Sequence, residues 1–364
     1  MTHAVETDHK QSRTQDRDLV ACDLCGGHDT SVVLTAPDRN WSMHAGEHLA
    51  GSSHARTNPP SDGEVWTLAK CDVCDLIFLN PRPSAPSLGQ HYPGDYYAYL
   101  AAPVRAPATV KQRVRQFLRR HRGLFTALQH TPLAGRLQDP VTRVVGWMPP
   151  GRVLDVGCGS GEALNELADL GWETWGVEID PKATARAAHC GHRVWTGSLE
   201  DCDVPESSVD VVRMVHVLEH VPSPTETLTA IRRVLRPGGR LIIEVPNIAH
   251  VLSAAFRDNS WSVDLPRHFY HFSPETLRKV VQFVGLQVQH VETVGNPRYL
   301  IQSIRLALMD RAGFGSKLGL SDDLWDARYD AELFEALRPF CRILEARGQG
   351  SSIRLVATRN DDRA

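Results

Sequence analysis

Val153-Leu-Asp-Val-Gly-Cys-Gly-Ser-Gly161 decides how the rest of the chain is read. A short apolar run ends in a carboxylate, and three glycines then alternate with small residues, the pattern of a buried strand entering a tight loop. A helix is expected next, from about Glu162 to Leu170. Glycine lets the backbone approach a ligand where a Cβ would collide, and the start of the helix presents free N–H groups. The spacing departs from the dinucleotide fingerprint G-x-G-x-x-G: the third glycine arrives one residue early, and Glu162 stands where that pattern needs glycine. Asp155, two residues before Gly157, suits a ligand with a positive ammonium group better than a pyrophosphate.

Working outward, strand and helix alternate from Gly151 on, which implies a doubly wound sheet. Glu173-Thr-Trp-Gly-Val-Glu-Ile-Asp180 reads as the second strand and ends in acids about twenty residues past the glycines, where a carboxylate accepts the two hydroxyl protons of a ribose. Glu178 is the expected acceptor. Asp180 is the reserve, or the cap of the helix that starts at Pro181. Arg193 to Thr196 is the third strand and Val209 to Val215 the fourth, running into His216-Val-Leu-Glu-His220. An amphipathic helix, Thr225 to Leu235, is closed by Arg236-Pro-Gly-Gly239, and the fifth strand runs from Arg240 to Asn247. Leu286 to Val294 and Ser352 to Arg359 supply two more strands. A helical insertion is read at 296–347, with Leu324, Trp325, Tyr329, Phe334 and Leu337 as its apolar anchors.

The glycine stretch resembles motif I of the class I S-adenosylmethionine (SAM) methyltransferases, and the resemblance continues to the C-terminus. It implies a Rossmann-like seven-stranded domain with an antiparallel last strand. The loop with Gly157, Cys158, Gly159 and Gly161 would cradle the amino-acid half of SAM, with Asp155 ordering loop and ligand. Leu199 and Glu200, after the third strand, would meet the adenine. His216-Val-Leu-Glu-His220-Val-Pro resembles the signature after the fourth strand of small-molecule methyltransferases, so His216 should face the sulfonium and the acceptor. In ubiquinone-pathway O-methyltransferases a related E-x-x-E-H cluster is associated with a divalent metal. Here His216 replaces its first acid, and buried structural contacts are the expectation for Glu219 and His220. Asp264-Leu-Pro-Arg-His-Phe-Tyr-His-Phe-Ser273 matches a segment that overlies the SAM-site mouth in this family. It makes His268 or His271 a candidate substrate-facing base, with Tyr270 and Arg267 behind. Ser273 and Pro274 start a helix as N-cap and first residue.

Two C-x-x-C knuckles, Cys22/Cys25 and Cys71/Cys74, have the spacing of a closed four-cysteine zinc site of structural type. His44, His48 and His54 between them read as solvated loop residues. Asn80-Pro-Arg-Pro83 and the tyrosines Tyr92, Tyr96, Tyr97 and Tyr99 follow. This order resembles the N-terminal module of a family of zinc-ribbon methyltransferases, in which the tyrosines would line a substrate pocket or pack the ribbon on the main domain. A basic helical pattern, Thr109 to Gln129, reads as a solvated face or as a docking surface for an anionic substrate. The expected organisation is a disordered tail (1–18), a zinc ribbon (19–83), a helical linker (84–148) and a SAM-binding domain (149–364).

Composition narrows the function. The 364 residues are 23% charged and 42% hydrophobic with net charge -3, which supplies no basic footprint for nucleic acid. No apolar run approaches the ~20 residues of a membrane span, and no secretory leader is visible, so the cytoplasm is the expected compartment. Histidines around the expected pocket (His216, His268, His271) favour a SAM-dependent O-methyltransferase acting on a small-molecule hydroxyl, because a base titrating near neutrality suits proton removal. C-methylation of a nucleotide-linked sugar and methylation of RNA gripped by the ribbon are the alternatives.

Overall fold

The computed structural model describes residues 17–38, 64–92, 150–310 and 330–360, with 113, 117, 141, 144 and 148. The basic stretch 109–129 apart from Arg113 and Phe117, Tyr96, Tyr97 and Tyr99, the three inter-knuckle histidines, and Leu324, Trp325 and Tyr329 therefore lie outside the described residues.

The N-terminal part contains β1 (Arg17–Asp18), β2 (Thr30–Pro37), β3 (Val65–Cys71), β4 (Ile77–Leu79) and β5 (Arg82–Pro83). The two knuckles are tight turns before β2 and after β3, so the β2–β3 pairing, with Thr30 opposite Cys71, brings all four cysteines to one end. Arg17 and Asp18, expected in a disordered tail, instead pair with Pro83 and Arg82. The cause is local: the Arg17 guanidinium lies 3.9 Å over the Trp66 ring and 2.6 Å from Glu64.

The larger part follows the expected alternation: β6 (Arg152–Val156), α1 (Glu162–Asp169), β7 (Glu173–Glu178), α2 (Pro181–His189), β8 (Arg193–Thr196), β9 (Val209–Val215), α3 (Pro224–Val234), β10 (Leu235–Pro246), α4 (Val251–Phe256), β11 (Tyr270–His271), α5 (Pro274–Phe283), β12 (Leu286–Val294), α6 (Pro297–Asp310), α7 (Asp330–Ala346) and β13 (Ser352–Arg359). Its sheet has the order β12-β13-β10-β9-β6-β7-β8. The contacts among β10, β9, β6, β7 and β8 are parallel, and β13 is antiparallel to both neighbours. The parallel strands are apolar because helices cover both faces; Val153, Leu154, Val211 and Val212 are wholly buried. Helix starts carry their own signals: Asp180, Ser223 and Ser273 each accept a backbone N–H three residues on, and each is followed by proline. Asp180 is thus the cap of α2.

The ribbon shares its core with the domain. One cluster of buried side chains runs from Trp66, Leu68 and Phe78 through Phe269, Tyr270 and Phe272 to the β9–β10 face. The short β11 pairs antiparallel with β4, Tyr270 opposite Phe78, and completes the sheet β11-β4-β3-β2. Asp23, inside the first knuckle, accepts from Ser223 Oγ (2.6 Å) and Thr225 N (2.8 Å), a carboxylate at the positive end of α3. Arg267, fully buried, is gripped by Asp38 (2.7 and 2.8 Å) and Asp264 (2.8 Å to Nε) and donates to the His91 carbonyl. Asp23 thus fixes the first knuckle against the start of α3, and Arg267 ties the segment before β11 to the end of β2.

Candidate active site

The loop after β6 is shaped by what its glycines allow. Gly157 has φ +73°, and a Cβ there would lie 2.4 Å from Val217 Cγ2. Gly161 caps α1 at φ +87°. Gly157→Ala is expected to weaken SAM binding by about tenfold or more, since a side chain in this backbone region costs roughly 1–3 kcal/mol. Isothermal titration checks it, and adding Val217→Ala should restore only part of the loss because the backbone strain stays.

Glu178 is buried at the end of β7. One carboxylate oxygen accepts from Gly159 N (2.9 Å) and the other from Asp180 N (3.0 Å). It therefore staples the glycine loop to the α2 corner. Two accepted bonds leave lone pairs on a group with about four acceptor positions, which fits an acceptor for a diol. Asp155 is buried, and both its oxygens are within 2.8–3.0 Å of Arg213 Nη1, from the facing position of β9. That carboxylate holds the guanidinium pKa above its ordinary range. Sequence reading expected Asp155 to order the loop and its ligand and missed Arg213. The visible signal was a lone arginine inside the otherwise apolar strand Val-Asp-Val-Val-Arg-Met-Val. Cys158 is buried with its thiol toward the Gly159 carbonyl (3.6 Å), and burial drives its pKa up. Leu199 is core, and the Glu200 carboxylate accepts from the Thr227 hydroxyl on α3.

His216 stands where β9 ends, at φ +56°, a conformation non-glycine residues adopt at a cost. Its side chain is 32% exposed. Nδ1 lies 3.5 Å from Glu219 and 3.5 Å from the Tyr299 hydroxyl on α6, and Nε2 lies 3.9 Å from Glu244. Burial alone would lower its pKa, but the two carboxylates outweigh it and push it up. Glu244 and Tyr299 were also missed, because both reach the site from distant segments.

The other expected bases lie deeper. His268 and His271 are 7% and 3% exposed. His268 stacks edge to face on His220 with centroids 4.6 Å apart, and His271 lies 6.0 Å beyond. Burial, first of all, lowers the pKa of His220 to about 4 and of His271 to about 3. Tyr270 is turned into the ribbon–domain core, between Phe78 and Phe272, with its hydroxyl donating to the Pro222 carbonyl at 3.1 Å. The hydroxyl on which a catalytic role would depend is committed there. Among the expected bases, His216 is the one open to an acceptor. Tyr92 reaches His220 Nδ1 at 3.3 Å.

At the far end of the ribbon, the Cys22, Cys25, Cys71 and Cys74 sulfurs all lie within 4.8 Å of one another. The pairs Cys22–Cys74 and Cys25–Cys71 are 3.4 Å apart. Four gathered thiols fit a tetrahedral ion, which would offset the burial that raises the Cys22 thiol pKa.

The sheet order, the antiparallel β13 and the glycine loop after β6 give residues 150–359 the Rossmann-like architecture that the resemblance to SAM-dependent methyltransferases implies. Residues 129–291 match the family described as Methyltransferase domain. A probable S-adenosylmethionine-dependent methyltransferase from Mycolicibacterium smegmatis is 27% identical over 189 residues, covering 50% of this chain and 69% of that protein. Ubiquinone biosynthesis O-methyltransferases from Xanthomonas oryzae pv. oryzae and Xanthomonas axonopodis pv. citri are 36% and 30% identical, over 26% and 38% of this chain. The chain spans only 43% and 64% of those two relatives. A SAM-dependent methyltransferase structure from Mesorhizobium loti superposes with TM-score 0.41 at 16% identity, over 64% of this chain and all of that one. Among the described residues no helix is long and apolar enough to cross a membrane.

Proposed function

We propose that this protein methylates a hydroxyl oxygen of a small molecule, with His216 as general base. The observation that carries the proposal is the placement of His216: about a third exposed at the end of β9, beside the glycine loop's strand, with a carboxylate near each ring nitrogen. SAM, when bound, supplies a methyl group already activated on a sulfonium. Gly157 and the Glu178-stapled loop would hold it, Glu178 toward the ribose, while Leu199 and Glu200 stand at the end expected for the adenine. His216 would take the hydroxyl proton, and Glu219 and Glu244 would stabilise the imidazolium that forms. The ubiquinone O-methyltransferase relatives support an oxygen acceptor. Incubation with SAM carrying a 13C methyl group and a cell extract, followed by carbon-edited NMR, tests this: a methoxy signal is expected, and a methyl signal on carbon would transfer the proposal to C-methylation.

We further propose that Cys22, Cys25, Cys71 and Cys74 hold a structural zinc ion. Cys71→Ser should lose the thiolate-bound ion and lower the melting temperature, since a closed zinc site contributes folding energy. An unchanged ion content and melting temperature would remove the zinc assignment.

A further inference from the structure

The segment Asn80-Pro-Arg-Pro83 lies where the ribbon meets the turn that carries His216. That turn runs from His216 to Ser223, the cap of α3. An internal bond, His220 N to the Val217 carbonyl at 2.9 Å, shapes it, and the rest of its support comes from outside.

The ribbon grips the turn at three points. Arg82 Nη1 donates to the Pro222 carbonyl at 2.7 Å, with the guanidinium 5.4 Å over the Phe269 ring. Asp23 holds Ser223 and Thr225 at the start of α3. Leu79 N, in β4, donates to the Phe269 carbonyl (2.8 Å), and Phe269 N and Tyr270 N in turn donate to the Glu219 carbonyl (2.7 and 3.1 Å). Arg82 is itself well seated. Its backbone pairs with Asp18 in β1, and the neighbouring Asn80 side chain exchanges two hydrogen bonds with the Val20 main chain, at 3.1 and 3.2 Å.

On its other side the turn meets the methyl-donor loop. Val217 packs against Gly157, and His216 N donates to the Glu244 carbonyl at 2.8 Å. The turn is therefore wedged between the glycine loop and the ribbon. His216, at φ +56°, holds a backbone conformation that persists only where the surroundings over-determine it. A charged donor on a carbonyl is a stronger restraint than a neutral one.

We propose that Arg82 is a positioning residue for methyl transfer. By fixing Pro222 it holds the turn so that His216 keeps its left-handed backbone and its ring beside Glu219 and Glu244. The proposal rests on His216 as the base. It makes turnover depend on the ribbon, although Arg82 acts on the reaction only through the turn.

The test compares full-length wild type, Arg82→Ala and Arg82→Lys by hydrogen–deuterium exchange, SAM titration and the rate of label transfer from labelled SAM into a cell extract. Arg82→Ala should speed exchange in the peptide spanning 214–223 and slow transfer by about tenfold or more, the change expected when a charge-assisted hydrogen bond is lost. The SAM dissociation constant should stay within about threefold. Arg82→Lys, which keeps a charged donor, should recover part of the rate. Unchanged exchange over 214–223 overturns the proposal, and so does wild-type transfer in a variant whose turn exchanges faster. SAM affinity that falls as far as the rate overturns it too, because Arg82 would then support the whole domain. His216→Ala, measured alongside, separates the failures: wild-type transfer there removes the base reading, whereas slow transfer there with normal transfer in Arg82→Ala removes only the positioning role. If Arg82→Ala does not fold, Asp23→Ala, at the other end of the grip, carries the same comparison.

Discussion

His216→Ala lowers turnover by about 10²–10⁴-fold, the usual contribution of a positioned general base, while the SAM dissociation constant changes by no more than about threefold. The asymmetry follows from position. The loop that would hold SAM is shaped by Gly157, Gly159, Gly161 and Glu178, and the described geometry gives His216 no hydrogen bond to any of them. His216 instead faces Glu219, Glu244 and Tyr299. Single-turnover kinetics beside equilibrium SAM binding checks the split. Partial rescue of the alanine variant by added imidazole would identify proton transfer as the lost step, whereas an equal loss of SAM affinity would make His216 a binding residue.

Arg267→Met destabilises the protein by about 3–5 kcal/mol, the range for breaking a buried ion pair by removing one partner. Arg267 is fully buried, and burial alone would lower its pKa, but Asp264 and Asp38 hold it well up. Removing it takes a buried cationic partner away from Asp264 and Asp38, whose side chains are 5% and 8% exposed. The stem of methionine fills most of the space, so the loss is electrostatic rather than a cavity. Urea unfolding measures it. Adding Asp38→Asn and Asp264→Asn should recover a substantial part, and a triple variant no more stable than the single one would show that packing dominates.

Much of this was legible from the residues. The parallel strands read directly as apolar runs, because a sheet covered on both faces needs no polar alternation. Leu286–Val294 and Ser352–Arg359 carried their own boundaries in Gly285 and the polar segment before Ser352. The cysteine spacing showed the knuckles because each ligand pair is local. What stayed hidden depends on pairing between distant segments. The density of His, Tyr and Arg at 261–273 was visible, but its partner was not: β11 lies against β4, so Tyr270 meets Phe78 and Arg267 meets Asp38 across some two hundred residues of chain. That pairing turns Tyr270 inward and buries His268 and His271 against His220. Arg213 stayed hidden for the same reason, since the register that places it beside Asp155 belongs to the sheet and not to either strand.

The most direct test of the central claim is transfer of label from isotope-labelled SAM into a cell extract that is then divided into small-molecule, RNA and protein fractions. The account predicts label in the small-molecule fraction with wild type and its loss with His216→Ala. Label in RNA or protein, with the small-molecule fraction blank, would contradict it and would make the ribbon a macromolecule-binding element.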